Sequence, residues 1–191
     1  MTWRHRGIDI PLEIYHGVPN GWTADVVFAR YATLGGTFPI SDFEIGDWYA
    51  PSWMTQRYEW LRHRETLYHI ADGVRAGDSA CIELAVQYIE LRHIGSYSGY
   101  IRSKLGRSMK CAPFTEQHKN RLDDHFLSIV LTRDYTGEWR EYCRLWARFI
   151  SAKTLAQIGA HVGKPLRHTR GPTWLALLTA AFEKRIVCDA A

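Results

Sequence analysis

Basic side chains recur at helical spacing in the second half of the chain. Arg140, Arg144 and Arg148 are each four residues apart and therefore fall on one face of a helix. Residues 95–112 contain no acidic residue. This segment carries four basic residues: Arg102, Lys104, Arg107 and Lys110. Guanidinium and ammonium groups pair with carboxylates and phosphates, so these residue types predict a surface that binds an acidic partner.

A third basic segment, GKPLRHTRGP at 163–172, contains Lys164, Arg167 and Arg170. Its Gly and Pro content predicts an exposed loop between the last two helices. Residues 1–94 carry 8 Lys and Arg against 12 Asp and Glu, whereas residues 95–191 carry 16 against 8. This asymmetry predicts that the second half attracts an acidic protein or a nucleic acid.

Residues that could support catalysis or metal binding are fewer. His118 and His125 are seven residues apart on one predicted helix, and Asp124 lies beside His125. A metal site needs at least a third ligand, and the sequence offers none at a suitable spacing. No phosphate-binding loop, dinucleotide motif, nucleophile elbow or Cys–His signature occurs. We therefore predict no catalytic residue, no cofactor and no metal, and a helical enzyme stays the least favoured alternative.

Apolar residues at spacings of three and four predict seven or eight helices and no substantial sheet. Thr23 is the expected N-cap of a helix over 23–34, which Gly35 and Gly36 end. Ser52 and Asp78 are the expected caps of two further helices. The predicted fold is all-α, with an irregular N-terminal arm over 1–52 that contains one short helix. A helical-hairpin domain follows over 53–191, and the whole chain is predicted to form one globular unit.

The stretches SYSGYIR (96–102) and DYTGEWR (134–140) lie 38 residues apart. The same shift places Leu84 on Leu122 and Tyr88 on Phe126, so the apolar register of the preceding helix also repeats. Ser98 and Thr136 are the expected caps of the helices that follow.

A helix pair repeated with a period near 40 resembles the HEAT-like α-solenoids in architecture. The sequence thus predicts helical hairpins packed as a short, HEAT-like right-handed solenoid, with an irregular bundle as the alternative. In a solenoid, equivalent helices line one face, and the basic segments would add into one surface.

Cysteines at 81, 111, 143 and 188 form no CxxC pair, which predicts free thiols in a reducing compartment. The N-terminal residues lack the apolar region of a signal peptide, and no apolar run is long enough to span a bilayer. We therefore expect a cytoplasmic protein that binds no membrane.

The predicted function is that of a non-catalytic helical binding protein, such as an adaptor, regulator or inhibitor of bacterial or phage type. Its expected partner is an acidic protein surface. The alternative is a nucleic acid, contacted at its phosphates without reading of the bases. The sequence leaves open the partner's identity, the source organism and the oligomeric state.

Overall fold

A computed structural model describes residues 2–5, 8–11, 17–41, 55–95, 97–162 and 171–189. The chain folds into two compact units, Met1–Ala112 and Pro113–Ala191. The division falls inside the predicted helical-hairpin segment and not after residue 52. Within the described ranges the structure is helical apart from one two-stranded hairpin, so the predicted all-α class is confirmed.

The first unit begins with an antiparallel hairpin of strands β1 (Thr2–His5) and β2 (Ile8–Pro11). The predicted arm is therefore regular at its start. Helix α1 (Ala24–Thr33) follows, and the Thr23 side chain accepts a hydrogen bond from the Val26 backbone N–H, which confirms the predicted cap. Gly35 has a φ of +71°, a left-handed conformation that glycine adopts without strain, where the helix was expected to end.

Three longer elements complete the first unit: α2 (Thr55–Ala76), α3 (Ser79–Glu90) and α4 (Ser98–Ser108). A 3₁₀ turn over Met109–Cys111 continues α4. Helix α2 packs against α1, α3 and α4, so it is the centre of this unit. The start of α2 predicted at Ser52 lies outside the described residues. The Asp78 side chain caps α3 by accepting a hydrogen bond from the Cys81 N–H, as predicted.

The second unit contains α5 (Glu116–Thr132), α6 (Trp139–Trp146), α7 (Ala152–Val162) and α8 (Gly171–Asp189). Helices α6 and α7 each pack against both α5 and α8. The ring of Phe126 stacks on Tyr142 at a centroid distance of 4.9 Å. The Asp123 carboxylate accepts hydrogen bonds from Trp146 Nε1 and Thr154 Oγ1, both at 2.5 Å, and so links α5 to α6 and α7.

The repeated register is visible in the packing of each unit by itself. Leu84 and Leu122 are buried, as are Tyr88 and Phe126. The turns differ, however. Helix α4 begins at Ser98 and α6 at Trp139, and their N-cap residues form no side-chain cap. The predicted capping by matching hydroxyl residues is wrong. Ser98 is already the first residue of α4, and its hydroxyl bonds the backbone of Gly95. Helix α6 starts three residues beyond Thr136, the position that a 38-residue shift gives. The HEAT-like solenoid stays a prediction.

Cys81 and Cys143 are buried free thiols and Cys111 is an exposed one. Among the described helices, none is both long enough and apolar enough to cross a membrane.

Candidate functional site

Arg102 belongs to the interior of the first unit. Its side chain is only 5% exposed, and its guanidinium donates a hydrogen bond to the backbone carbonyl of His93. A buried charge whose donors are engaged by the protein is costly to withdraw. The prediction that Arg102 lies on an exposed binding surface is therefore not supported, and we assign it a structural role.

The other basic residues predicted in this segment remain nearer the surface. Arg107 is exposed, whereas Lys104 and Lys110 are half-buried. The Lys104 ammonium lies 4.0 Å from the centroid of the Tyr68 ring, a cation–π distance. Lys104 and Arg107 are three residues apart on α4 and therefore share one side of that helix.

In the second unit, α6 separates an apolar side from a basic one. Arg140 and Arg144 are exposed. The other side of the helix consists of its five buried residues: Trp139, Tyr142, Cys143, Leu145 and Trp146. Arg144 pairs with Glu141 at 2.9 Å.

Arg148 lies beyond the end of α6, so the predicted three-arginine helical stripe is interrupted. It is exposed, and its guanidinium carbon lies 5.9 Å from the Phe114 ring centroid. The predicted loop residues Lys164, Arg167 and Arg170 lie outside the described residues.

A feature that the sequence did not predict lies along α2 and α4. Six side chains, here named the aromatic–basic strip, form a continuous series of ring–ring and cation–ring contacts. They are Trp60, Arg64 and Tyr68 on α2, with Tyr97, Tyr100 and Lys104 on or at the start of α4. The sequence does contain a signal for it, because Trp60, Arg64 and Tyr68 are four residues apart and so lie on one face of α2.

The distances within the strip are short. Trp60 and Tyr97 have ring centroids 5.4 Å apart, and Tyr97 and Tyr100 are separated by 5.6 Å. The Arg64 guanidinium carbon lies 5.2 Å from the Trp60 ring and 5.8 Å from the Tyr68 ring. Tyr97 is 54% and Tyr100 69% exposed, so the aromatic end of the strip faces solvent.

Three titratable groups with shifted pKa values in the first unit, His63, His93 and Asp78, have structural roles. Burial lowers the pKa of His63 to about 4, and the opposing effect of the Trp22 carbonyl does not offset it. His63 Nδ1 donates to that carbonyl at 2.6 Å. His93 also has a pKa lowered to about 4, by burial and by the Arg102 charge. Both imidazoles are therefore neutral near pH 7.

Asp78 joins three parts of the first unit. Its Oδ1 accepts from the Cys81 N–H at 2.8 Å, and its Oδ2 accepts from the backbone N–H groups of Thr37 and Phe38. The Tyr31 hydroxyl also donates to Oδ2, at 3.2 Å. Burial raises the pKa of this carboxyl, but the backbone donors outweigh burial and hold the pKa well below its ordinary value.

The histidines considered for a metal site have local roles instead. His118 forms a capping box with Thr115 at the start of α5. His125 is half-buried against the Phe126 ring. Within the part of the chain that the structure describes, no three His, Cys, Asp or Glu side chains are placed to hold a metal ion together.

Comparison of the chain with protein-family models, with curated proteins and with solved structures gave no match. Its function is therefore inferred from its own side chains.

Proposed function

We propose that this chain is a non-catalytic binding protein that engages an acidic macromolecular partner through exposed basic residues of its helices. The observation that carries the proposal is the position of Arg140 and Arg144 on the solvent side of α6, opposite its buried residues. Arg107 is a comparable exposed cation in the first unit.

The pairing of Arg144 with Glu141 is compatible with binding. The Arg144 side chain is 41% exposed, whereas that of Glu141 is only 14% exposed. The guanidinium has five N–H donors, so a carboxylate or phosphate of a partner can bind its exposed side while Glu141 stays in place. Arg140 is exposed one turn earlier on the same helix, so two guanidinium groups are available to a partner that carries several negative charges.

A non-catalytic role is supported by the use that the fold makes of its unusual titratable groups. Asp78 and His63 have shifted pKa values, yet each uses its hydrogen bonds to hold neighbouring segments together. Shifted pKa values also arise in such structural networks. The adaptor, regulator or inhibitor role and the cytoplasmic location stay predictions of the sequence.

The test is a charge reversal on α6. Binding of fluorescein-labelled polyglutamate is measured by fluorescence anisotropy at low ionic strength for the wild type and for Arg140→Glu/Arg144→Glu. Loss of two exposed charge pairs, with added repulsion, is expected to weaken binding about tenfold or more. The control, Lys153→Glu/Lys184→Glu, makes the same change of net charge at exposed positions of α7 and α8.

The control variant is expected to bind nearly as well as the wild type. Equal weakening by both variants would show that only net charge matters, and the α6 surface would lose its assigned role. Wild-type protein that does not bind polyglutamate at all would count against an acidic protein partner.

A further inference from the structure

We propose that the aromatic–basic strip of the first unit binds single-stranded nucleic acid. Bases would stack on the exposed rings of Tyr97 and Tyr100, and phosphates would contact Lys104 and the adjacent Arg107. The inference rests on the proposed function, since it names the class of acidic partner that the basic residues of α4 engage.

The aromatic part of the strip offers exposed rings on which bases can stack. Tyr97 and Tyr100 expose 54% and 69% of their surface, and their ring centroids lie 5.6 Å apart. Trp60 extends the series behind Tyr97. Every nucleobase offers a π-face, so a series of exposed rings binds single strands with little sequence preference.

The charged part of the strip lies on the same side of α4. Lys104 and Arg107 follow Tyr100 by four and seven residues, which places all three on one helical stripe. No acidic residue occurs between residues 95 and 112. Arg64 pairs with Glu65 at 2.5 Å, so the net positive charge of this surface comes mainly from Lys104 and Arg107. Their charge is complementary to a phosphate backbone.

The backbone at Tyr97 contributes to the position of its ring. Tyr97 is the N-cap of α4 and has a φ of +60°, in the left-handed region that non-glycine residues seldom occupy. This conformation is accompanied by ring contacts with both Trp60 and Tyr100. The start of α4 therefore places the Tyr97 ring between those of Trp60 and Tyr100.

The composition of the strip favours a nucleic acid over an acidic protein. Its six members are four aromatic and two cationic residues, and none is aliphatic. An acidic polypeptide would satisfy the cations, but its carboxylates offer nothing to the faces of the two exposed tyrosines. Single-stranded nucleic acid matches both parts at once, with bases for the rings and phosphates for the cations.

The experiment uses the full chain and fluorescein-labelled oligonucleotides of mixed sequence. Each is about 20 nucleotides long, which exceeds the usual site size of a single-strand-binding surface. Single-stranded DNA, single-stranded RNA and the DNA duplex of the same sequence are compared by fluorescence anisotropy at several salt concentrations. Tighter binding of one single strand identifies the backbone that this surface prefers.

Two kinds of variant separate stacking from charge. Tyr100→Ala is expected to weaken single-strand binding about 5- to 150-fold, the range for loss of one stacked base, without changing the salt dependence. Tyr97→Asn also removes a ring and is expected to act in the same direction. Asn is chosen because it tolerates the left-handed backbone, so the start of α4 is kept. Lys104→Gln/Arg107→Gln should reduce the slope of log affinity against log salt by about 1.4, or roughly 0.7 for each phosphate that is no longer neutralised.

Leu91→Ala and Arg75→Gln are the controls, since both residues are exposed in the first unit and neither belongs to the strip. Both are expected to bind as the wild type does.

Three results would overturn the inference. They are wild-type protein that binds neither single strand, Tyr100→Ala that binds as tightly as wild type, and a duplex bound as tightly as the single strand. The duplex is informative because its paired bases cannot stack on the tyrosine rings. If any of these occurs while Arg140→Glu/Arg144→Glu still loses polyglutamate, the inference fails and the proposed function stands. If the inference and the proposed function both fail, the basic residues are not a binding surface.

Discussion

Replacement of Asp78 tests how the first unit is held together. In Asp78→Asn the side chain keeps its shape but has only one acceptor oxygen. Asp78 now uses Oδ1 for the Cys81 N–H and Oδ2 for the N–H groups of Thr37 and Phe38. Asn is as good an N-cap as Asp, so we expect its oxygen to keep the cap of α3 and its NH₂ to face the two donors of the 37–38 segment.

The size of the effect follows from those hydrogen bonds. A hydrogen bond to a charged group contributes about 1.5–3 kcal/mol, and the two from backbone N–H groups to Oδ2 are removed. The hydroxyls of Tyr31 and Thr37 also donate to Oδ2, but each can turn to accept from the new NH₂. Thr37 is exposed, so water will satisfy its N–H after the change. We therefore expect Asp78→Asn to lower the free energy of unfolding of the first unit by about 2 kcal/mol. Asp78→Ala also removes the cap, which adds about 1 kcal/mol.

The assay combines urea unfolding with hydrogen exchange, because a chain of two units need not unfold in one step. The amides of Thr37 and Phe38 should exchange faster in Asp78→Asn, and that of Cys81 only in Asp78→Ala. Asp72→Asn is the control, since Asp72 pairs with Arg75 at the protein surface. Its effect should stay within about 0.5 kcal/mol.

The same substitution has a pH signature. The native pKa of Asp78 lies below its ordinary value of 3.8, so its contribution is complete above that pH and is lost as the pH falls further. The difference in stability between wild type and Asp78→Asn should therefore shrink below about pH 4. Equal stability of the two proteins at pH 7, or a difference that grows on acidification, would refute this reasoning.

The remaining predictions concern two glycines and one histidine. A Cβ on Gly73 would lie 2.3 Å from Cys81 Sγ, whereas one on Gly159 meets nothing within 4 Å. In urea unfolding, Gly73→Ala should therefore destabilise its unit by about 1–3 kcal/mol, while Gly159→Ala should stabilise α7 by about 0.5–1 kcal/mol. The same sign for both would contradict the packing described. The unfolded chain binds a proton at His63 near pH 6.5 and the native state only near pH 4, so wild-type stability should fall as the pH is lowered across that window. The thermal midpoint of His63→Gln should depend less on pH across that window than the midpoint of the wild type. An unchanged dependence would show that His63 does not cause it.

Helix caps and buried helix positions were predictable from the sequence because they depend on neighbouring residues. Thr23 and Asp78 cap their helices as expected, since each side chain bonds an N–H three residues ahead. The buried positions Leu84 and Leu122 followed from apolar spacing alone. In each case the signal lies within one or two turns of the same helix.

The candidate site depended on packing between helices, which spacing does not give. Arg102 was predicted to be exposed because its neighbours are basic, yet the position of the His93 carbonyl decides its burial. The aromatic–basic strip exists only because α2 packs on α4, which brings Trp60 to Tyr97. The left-handed backbone of Tyr97 is likewise set by the tertiary structure, since tyrosine has no preference for it.

The proposal that Arg140 and Arg144 bind an acidic partner is tested by the salt dependence of polyglutamate binding. For the wild type we predict that affinity falls steadily as salt rises, because exposed charge pairs are screened. For Arg140→Glu/Arg144→Glu we predict weaker binding with a clearly shallower dependence. Wild-type binding that does not change with salt, or an identical dependence in the variant, would contradict the proposal.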